Sequence, residues 1–459
     1  NHDYIAHAVS RDGFVWRRTK NALFVGDPGQ WDDDMLWTMH VSADPHRPGA
    51  WRMFYTGLSR REDGRVQRIG LARSQDLMHW EKDTSGAYPI TVGGYYEKSL
   101  SEGREWVSFR DPFYYEEQGM RLLLANARVA KGPVVRRGCV ATVQEVEPDR
   151  FEFRPALFLP FLYDDVEVPS LYRVDGRYYL IGSLREDIKT HYWHADELFG
   201  HYEAFYDNVL MPAGNYAVRL LQESPDCRTA WNFFVDASSG AGRRLLPPPK
   251  EVVVGKDGRL MMKSFHGFDD RVDREIGADE LLPVEVRLEN RTAELHPGKS
   301  GFRAQTLSGY EIFCLQGAYE DFRLHASMVM EGRGKTGLVF RMDDDSNGYF
   351  VSLDMINGIA QVRAWGQHPE GRFNDAFLYR NIQQHHFFPN ERMAHEVKLI
   401  VFGAYIELSI DGYVVLSLID TTYTEAGGLG FYVESAAIRA DNLTVETLKS
   451  PQTEDYGPL

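Results

Sequence analysis

Cysteine is scarce: Cys139, Cys227 and Cys314 are the only three in 459 residues. Three cannot all pair, and their wide spacing matches no zinc or haem pattern. Three reduced, mostly buried thiols are therefore expected, which favours a cytoplasmic over a secreted location. No apolar run approaches the ~18 residues a membrane span needs. No signal peptide is visible either, but the chain opens at Asn1 rather than Met, so this carries no weight. Positive charge is outweighed: 51 Lys and Arg against 67 Asp and Glu give a formal charge of −16. Such a surface repels nucleic acid and anionic lipid, and neither is expected as a partner. Helical periodicity is nearly absent.

What the chain does have is aromatics at 13% and 41 glycines, a mixture that favours strands joined by tight turns. Hydrophobic residues at 43% permit a packed core, and the length allows about three domains. The most informative feature is an internal echo. Ile5 to Trp16 (IAHAVSRDGFVW) recurs 64 residues later as Ile69 to Trp80 (IGLARSQDLMHW). Both read as a strand, a Ser-x-Asp turn and a tryptophan, with strand candidates Met35 to Ser42 and Trp51 to Gly57 between them. Further units start near Phe109, Val166 and Tyr216. Strands repeating in threes or fours at this period are the signature of a β-propeller, and with the partial unit at the start the count is five blades. The expected organisation is all-β: a five-bladed propeller over 1–266, a linker over 267–302, a concanavalin-like β-sandwich over 303–449 and a loose tail over 450–459. The sandwich rests on eight short alternating strands and on the hairpin signals Asn347-Gly348, Asn357-Gly358 and Asp411-Gly412.

Two strand entries hold acids beside proline: Phe109-Arg110-Asp111-Pro112 and Asp165-Val166-Glu167-Val168-Pro169. Paired carboxylates at neighbouring strand mouths suit glycosidic bond cleavage, in which one acid protonates the leaving oxygen and another group meets the anomeric carbon. Asp-Pro and Glu-x-Pro also open ordinary strands.

Phe-Arg-Asp-Pro and Glu-Val-Pro in a propeller followed by a sandwich resemble glycoside hydrolase family 32 and its relatives in families 43 and 68. The run Trp31 to Thr38, the Phe54-Tyr55-Thr56-Gly57 strand and the Ser-x-Asp-x-x-x-Trp echo carry the same resemblance. It implies a retaining hydrolase or fructosyl transferase acting on β-fructofuranosides such as sucrose or fructans, with no metal or other cofactor. By resemblance, Glu167 is the general acid/base, Asp111 stabilises the transition state through sugar hydroxyls, and Arg110 is its ionic partner. Trp37 and His40 fall where the family places substrate contacts, with packing between blades as the other reading. Asp33 lies in an acidic turn at the second blade's mouth, and Tyr216 and Arg219 open the fifth blade. The family nucleophile sits on the first blade's innermost strand, ahead of Ile5. Either a segment carrying it lies outside this sequence or another carboxylate replaces it, so the nucleophile is unassigned. A family 43-like arabinofuranosidase or xylosidase and a non-catalytic carbohydrate-binding propeller are the alternatives. Asp343 to Gly348 nearly fits a calcium loop, but flanking strands favour an Asx-rich hairpin. His385-His386 reads as a solvated loop pair.

Overall fold

The structure, a computed structural model, describes residues 2–224, 227–236, 243–282, 284–367 and 377–450. The tail beyond Ser450 lies outside the described residues. Short apolar runs cut by Gly, Asn and Asp turns leave little for a helix to use, and the one α-helix among the described residues is the four-residue Ala278–Leu281. The chain divides into two compact units, residues 1–209 with Ala217–Arg219, and residues 210–216 with 220–453.

Successive antiparallel sheets give a β-propeller arrangement. The 35–91 sheet starts with Met35–Ala43, the 109–158 sheet with Phe109–Glu117, the 167–211 sheet with Glu167–Val174 and the 215–264 sheet with Asn215–Ser224. Each contains four or five strands. The expected count of five blades, which included a partial unit at the start, is corrected to four: residues ahead of Met35 form only two-stranded ribbons, Tyr4–Ile5 with Leu23–Phe24 and Ala8–Ser10 with Trp16–Arg18. The 109–158 sheet is apolar on both faces, which explains its unbroken Leu122 to Ala125 run. Leu123 and Ala125 pack with Phe54 and Ile69, whereas Leu122 and Leu124 pack with Leu171 and Leu180.

The echo folds into the same turn twice. Ser10 Oγ accepts from Gly13 N (2.9 Å), Asp12 Oδ1 accepts from Phe14 N (2.9 Å), and Trp16 Nε1 donates to Gly13 O (3.1 Å). Ser74, Asp76 and Trp80 repeat the pattern with Leu77 N (2.9 Å), Met78 N (2.8 Å) and Leu77 O (3.0 Å). The turn demands a left-handed residue, supplied by Gly13 (φ 77°) in one copy and by Leu77 (φ 64°) in the other. A non-glycine residue there costs roughly 1–2 kcal/mol, and glycine's extra chain entropy returns part of it. Leu77→Gly is therefore expected to raise stability by about 0.5 kcal/mol, and Gly13→Leu to lower it by about 1–2 kcal/mol, in urea unfolding.

The leading strand of each sheet carries an irregularity near its start. Register breaks lie between Trp37 and Met39, Arg110 and Phe113, and Glu167 and Ser170. Asp111 (φ 58°), Val168 (φ 49°) and Ala217 (φ 58°) are left-handed, and for β-branched Val168 this is a strained backbone. Each of the three turns its amide to a side chain of the preceding sheet: Asp111 N to Thr56 Oγ1 (3.1 Å), Val168 N to Asp111 Oδ2 (3.0 Å) and Ala217 N to Ser183 Oγ (2.8 Å). These bonds satisfy amides that the bulges remove from the ladders.

In the second unit an eight-stranded sheet centred on Phe322–Glu331 and Ala437–Leu448 and a seven-stranded sheet centred on Lys335–Met342 and Gly428–Glu434 contribute to one apolar core. Phe322–Glu331 alternates buried and half-buried side chains along its length, as a strand with one covered face should. The expected linker over 267–302 is corrected: Val272–Gly277, Glu285–Val286 and Ala293–Pro297 within it pair into these sheets. Their charges face outward as at an edge, which hid them from a search for apolar runs. His385 and His386 end the strand Phe377–His386 and are not in a loop. Asp343 does make an Asx hairpin, both its oxygens accepting from Asn347 (2.8 Å each). All three cysteines are free, and no helix among the described residues is long and apolar enough to cross a membrane.

Candidate active site

The bulges at Asp111 and Val168 bring the two acid-bearing strand mouths together. Arg110 lies between them, its Nε 3.5 Å from Asp111 Oδ2 and its Nη2 2.5 Å from Glu167 Oε1. The same nitrogen donates to Asp165 Oδ2 (3.1 Å), and Nη1 donates to Gln67 Oε1 and Ser108 Oγ (3.2 Å each). Burial works against the Arg110 charge, but Asp165, Asp111 and Glu167 more than offset it and hold the guanidinium protonated. Asp165, missed at the sequence level, is also gripped by Arg104 (3.0 and 3.1 Å) and Arg185 (2.7 Å). Burial would raise its carboxyl; Arg110 and Arg104 prevail and lower it to about 2. Asp111 behaves oppositely. Burial, its largest influence, and the neighbouring Glu167 push the carboxyl above the usual range, against Arg110, the Val168 amide and the Thr38 hydroxyl.

These opposed shifts fix a pH dependence. Asp165, depressed from an unfolded value near 3.9 to about 2, adds stability of about 2.5 kcal/mol that is full above pH ~5 and lost as the pH falls towards 2. Asp111, raised, contributes stability present below the unfolded value and lost as pH rises through its folded one. The stability gap between the parent protein and Asp165→Asn, measured by denaturant unfolding, should narrow steadily from pH 5 to pH 2.5.

A cavity of about 470 Å³ opens over this cluster, lined by Trp37, Gln67, Trp106, Arg110, Glu167 and Arg185, with Gly64, Arg65 and Glu105 completing its wall. Asp111, 3% exposed, is not part of that wall but contacts the lining residue Arg110. Trp37, which lines the same cavity, has a buried Nε1 without a hydrogen-bond partner. A second cavity of about 550 Å³, lined by Phe158, Tyr163, Trp193 and Tyr202 among others, has no carboxylate in its wall and so no acid to protonate a leaving oxygen.

The other expected contacts fall elsewhere. Both oxygens of Asp33 accept backbone amides, from Gly29 (2.8 Å) and Arg60 (2.9 Å), which lower its pKa and commit it to capping loops. In the same acidic turn Asp32 is buried, bonded to Tyr55 Oη (2.9 Å) and Lys82 Nζ (2.6 Å). His40 packs its ring on Phe113 (4.5 Å), and burial followed by the Arg219 charge drives its pKa down to about 3, so it is neutral at ordinary pH. Arg219 spends its donors on the carbonyls of Val168 (3.1 Å), Pro169 (2.5 Å) and Pro112 (3.3 Å), stapling the two bulges to each other. It acts as a scaffold, with no donor shown facing the cavity. Tyr216 belongs to the second unit, buried against Phe233 (5.9 Å). Arg104, Trp106 and Arg185 had no signal in sequence. Asp165 had one, since it sits two residues ahead of Glu167 and so on the same side of an extended chain.

No family model matches the chain, and no curated protein sequence matches it. Its fold does match solved structures. Among them are sucrose-6-phosphate hydrolase from Lactobacillus gasseri (15% identity, TM-score 0.67, covering 97% of this chain and 85% of that one) and exo-inulinase from Aspergillus awamori (13%, 0.69, 97% and 90%). A third is a mutant of the glycoside hydrolase family 32 β-fructofuranosidase from Bombyx mori in complex with sucrose (13%, 0.63, 97% and 85%). At this identity the likeness is one of fold.

Proposed function

We propose that the protein is a glycoside hydrolase of the family 32 kind that cleaves β-fructofuranosides with retention of configuration. The observation that carries this reading is the Arg110 bridge, which joins Asp111 to Glu167 across neighbouring strand mouths, with Arg110 and Glu167 lining one cavity. Hydrolases of sucrose 6-phosphate, inulin and β-fructofuranosides share the fold and favour this substrate class. In this reading Glu167 gives a proton to the leaving glycosidic oxygen and afterwards takes one from water. Asp111, buried and aligned by the Val168 amide, accepts hydrogen bonds from sugar hydroxyls that tighten in the transition state. Arg110 keeps the two carboxylates from repelling each other, and the Trp37 indole N–H offers a donor to the substrate. The nucleophile stays unassigned; Asp165 is ill suited to the role, because it is buried and its carboxylate is engaged by three guanidinium groups. The propeller is read as one domain over residues 1–266, and the two large sheets as a β-sandwich over about 303–449.

The test is turnover by the purified protein on sucrose, inulin, levan and an aryl arabinofuranoside, with the anomer of the first product followed by NMR. Release of fructose with retention is expected. Inversion on the arabinofuranoside alone would favour the family 43 alternative, and binding without turnover on any of the four would make the chain a carbohydrate-binding propeller.

A further inference from the structure

The second cavity, of about 550 Å³, is built on the later strands of two neighbouring sheets, whereas Asp111 and Glu167 sit on the first strands of the same sheets. Phe158 ends Arg150–Phe158, the last strand of the 109–158 sheet, and Trp193 lies on Lys189–Ala195 of the 167–211 sheet. Among the described residues no Asp, Glu, Lys or Arg lines this cavity, in a chain of which 26% is charged. Aromatic rings make up much of the wall, and most are held in place. Trp193 packs on Phe158 (4.6 Å between centroids) and Tyr163 (6.0 Å), Phe205 packs on His194 (4.2 Å), and the Tyr202 hydroxyl donates to Leu198 O (2.9 Å). Tyr206, also in the wall, is fully exposed (107%). Two lining residues keep a polar group without a partner among the described residues: the Tyr163 hydroxyl and Asn208 Nδ2.

A sugar offers a C–H face to a flat ring and hydroxyls around its edge to donors and acceptors. An uncharged aromatic wall with a few free polar groups meets both demands, and it desolvates no unpaired charge when the ligand enters. The volume falls within the range of about 300–1,000 Å³ usual for small-ligand sites. We propose that this cavity is a non-catalytic carbohydrate site that holds a short stretch of a neutral fructan chain, by stacking on Tyr206 and by hydrogen bonds to Tyr163 and Asn208. The choice of fructan rests on the glycosidase reading above; the choice of a neutral sugar rests on the wall itself. The segment 159–166 serves both sites, since Leu159, Pro160, Leu162 and Tyr163 line this cavity and the chain then runs into Asp165 and Glu167. Four residues of extended chain span at most about 14 Å, which bounds the separation of the Tyr163 and Glu167 Cα atoms. A polymer held here stays close to the acid and gains effective concentration there, whereas a disaccharide gains nothing from such a tether.

Steady-state kinetics on inulin and sucrose, together with titration calorimetry on inulin, test this. A stacked ring is worth about 2–10-fold in affinity. Tyr206→Ala should therefore raise KM for inulin and weaken inulin binding by about that factor, with kcat on inulin and both constants on sucrose unchanged. Tyr163→Phe, which removes only the hydroxyl, should act in the same direction more weakly. Inulin KM and affinity equal to the parent's in both variants would overturn the proposal while the glycosidase reading stands. An equal rise in KM for sucrose would do the same, because it would mark damage to the cleavage site. If the parent turns over none of sucrose, inulin, levan and the aryl arabinofuranoside, the glycosidase reading fails and calorimetry decides the cavity separately. Inulin binding that Tyr206→Ala weakens then keeps the carbohydrate site, and no inulin binding removes it. Self-association of the parent that Tyr206→Ala abolishes, with inulin affinity unmoved, would make the cavity a contact between copies of this chain instead. Thermal unfolding of both variants checks that they fold before any kinetics.

Discussion

Glu167→Gln should lower turnover by about 10²–10⁴-fold, the usual worth of a positioned general acid/base, and the loss should depend on the leaving group. Gln keeps the size of the side chain and a hydrogen-bonding group near Arg110, but it has no proton to give. Sucrose, whose leaving oxygen needs protonation, should suffer most, whereas an activated aryl fructoside should suffer least. Asp111→Asn should penalise both alike, because the lost interaction is with the fructosyl part common to all substrates. The measurement is kcat for each variant across a leaving-group series. Equal sensitivity of Glu167→Gln along that series would remove Glu167 from the acid role.

The second large effect concerns stability. Arg110→Met should destabilise the fold by about 3–5 kcal/mol, since it strips the buried cation from Asp111, Asp165 and Glu167 while leaving the acids in place. Arg110→Lys should recover only part of this. Nε, Nη1 and Nη2 serve different partners around a planar fork, and one ammonium cannot reach them all. Because the penalty comes from uncompensated carboxylates, it should shrink on acidification as they become protonated. Combining Arg110→Met with Asp165→Asn should cost less than the sum of the two single changes. Urea unfolding at pH 7 and pH 4 tests all of this; an equal penalty at both pH values would mean that lost packing, not charge, is responsible.

Much of this molecule follows from local chemistry. The Ser-x-Asp-x-x-x-Trp echo marked a repeated turn because its hydrogen bonds close within a few residues: Ser10 and Ser74 cap the same turn with the same geometry. The strand starting at Phe322 was legible because its apolar residues alternate as one covered face requires, and those starting at Phe109 and Arg177 because each is a short apolar run. The strand entries that hold Asp111 and Glu167 were legible because a nearby proline, which lacks a ladder donor, marks a strand start. Strands with charged or broken patterns, such as Val272–Gly277 and Ala437–Leu448, were not, since edge pairing and the kink at Asn442 (φ 52°) leave no periodic mark.

The tertiary structure alone decided what the polar residues do. Asp33, His40 and Arg219 looked as available for a sugar as Trp37 did, and nothing local distinguishes them. Asp33 is spent on the amides of Gly29 and Arg60, His40 on the ring of Phe113, and Arg219 on carbonyls 50 and 107 residues away. Asp165, Arg104 and Arg185 join the site only because buried carboxylates must find cations, and the fold determines which cations lie within reach. A sequence specifies which groups are charged and where strands begin; which charge faces which is a property of distances that only the packed chain defines.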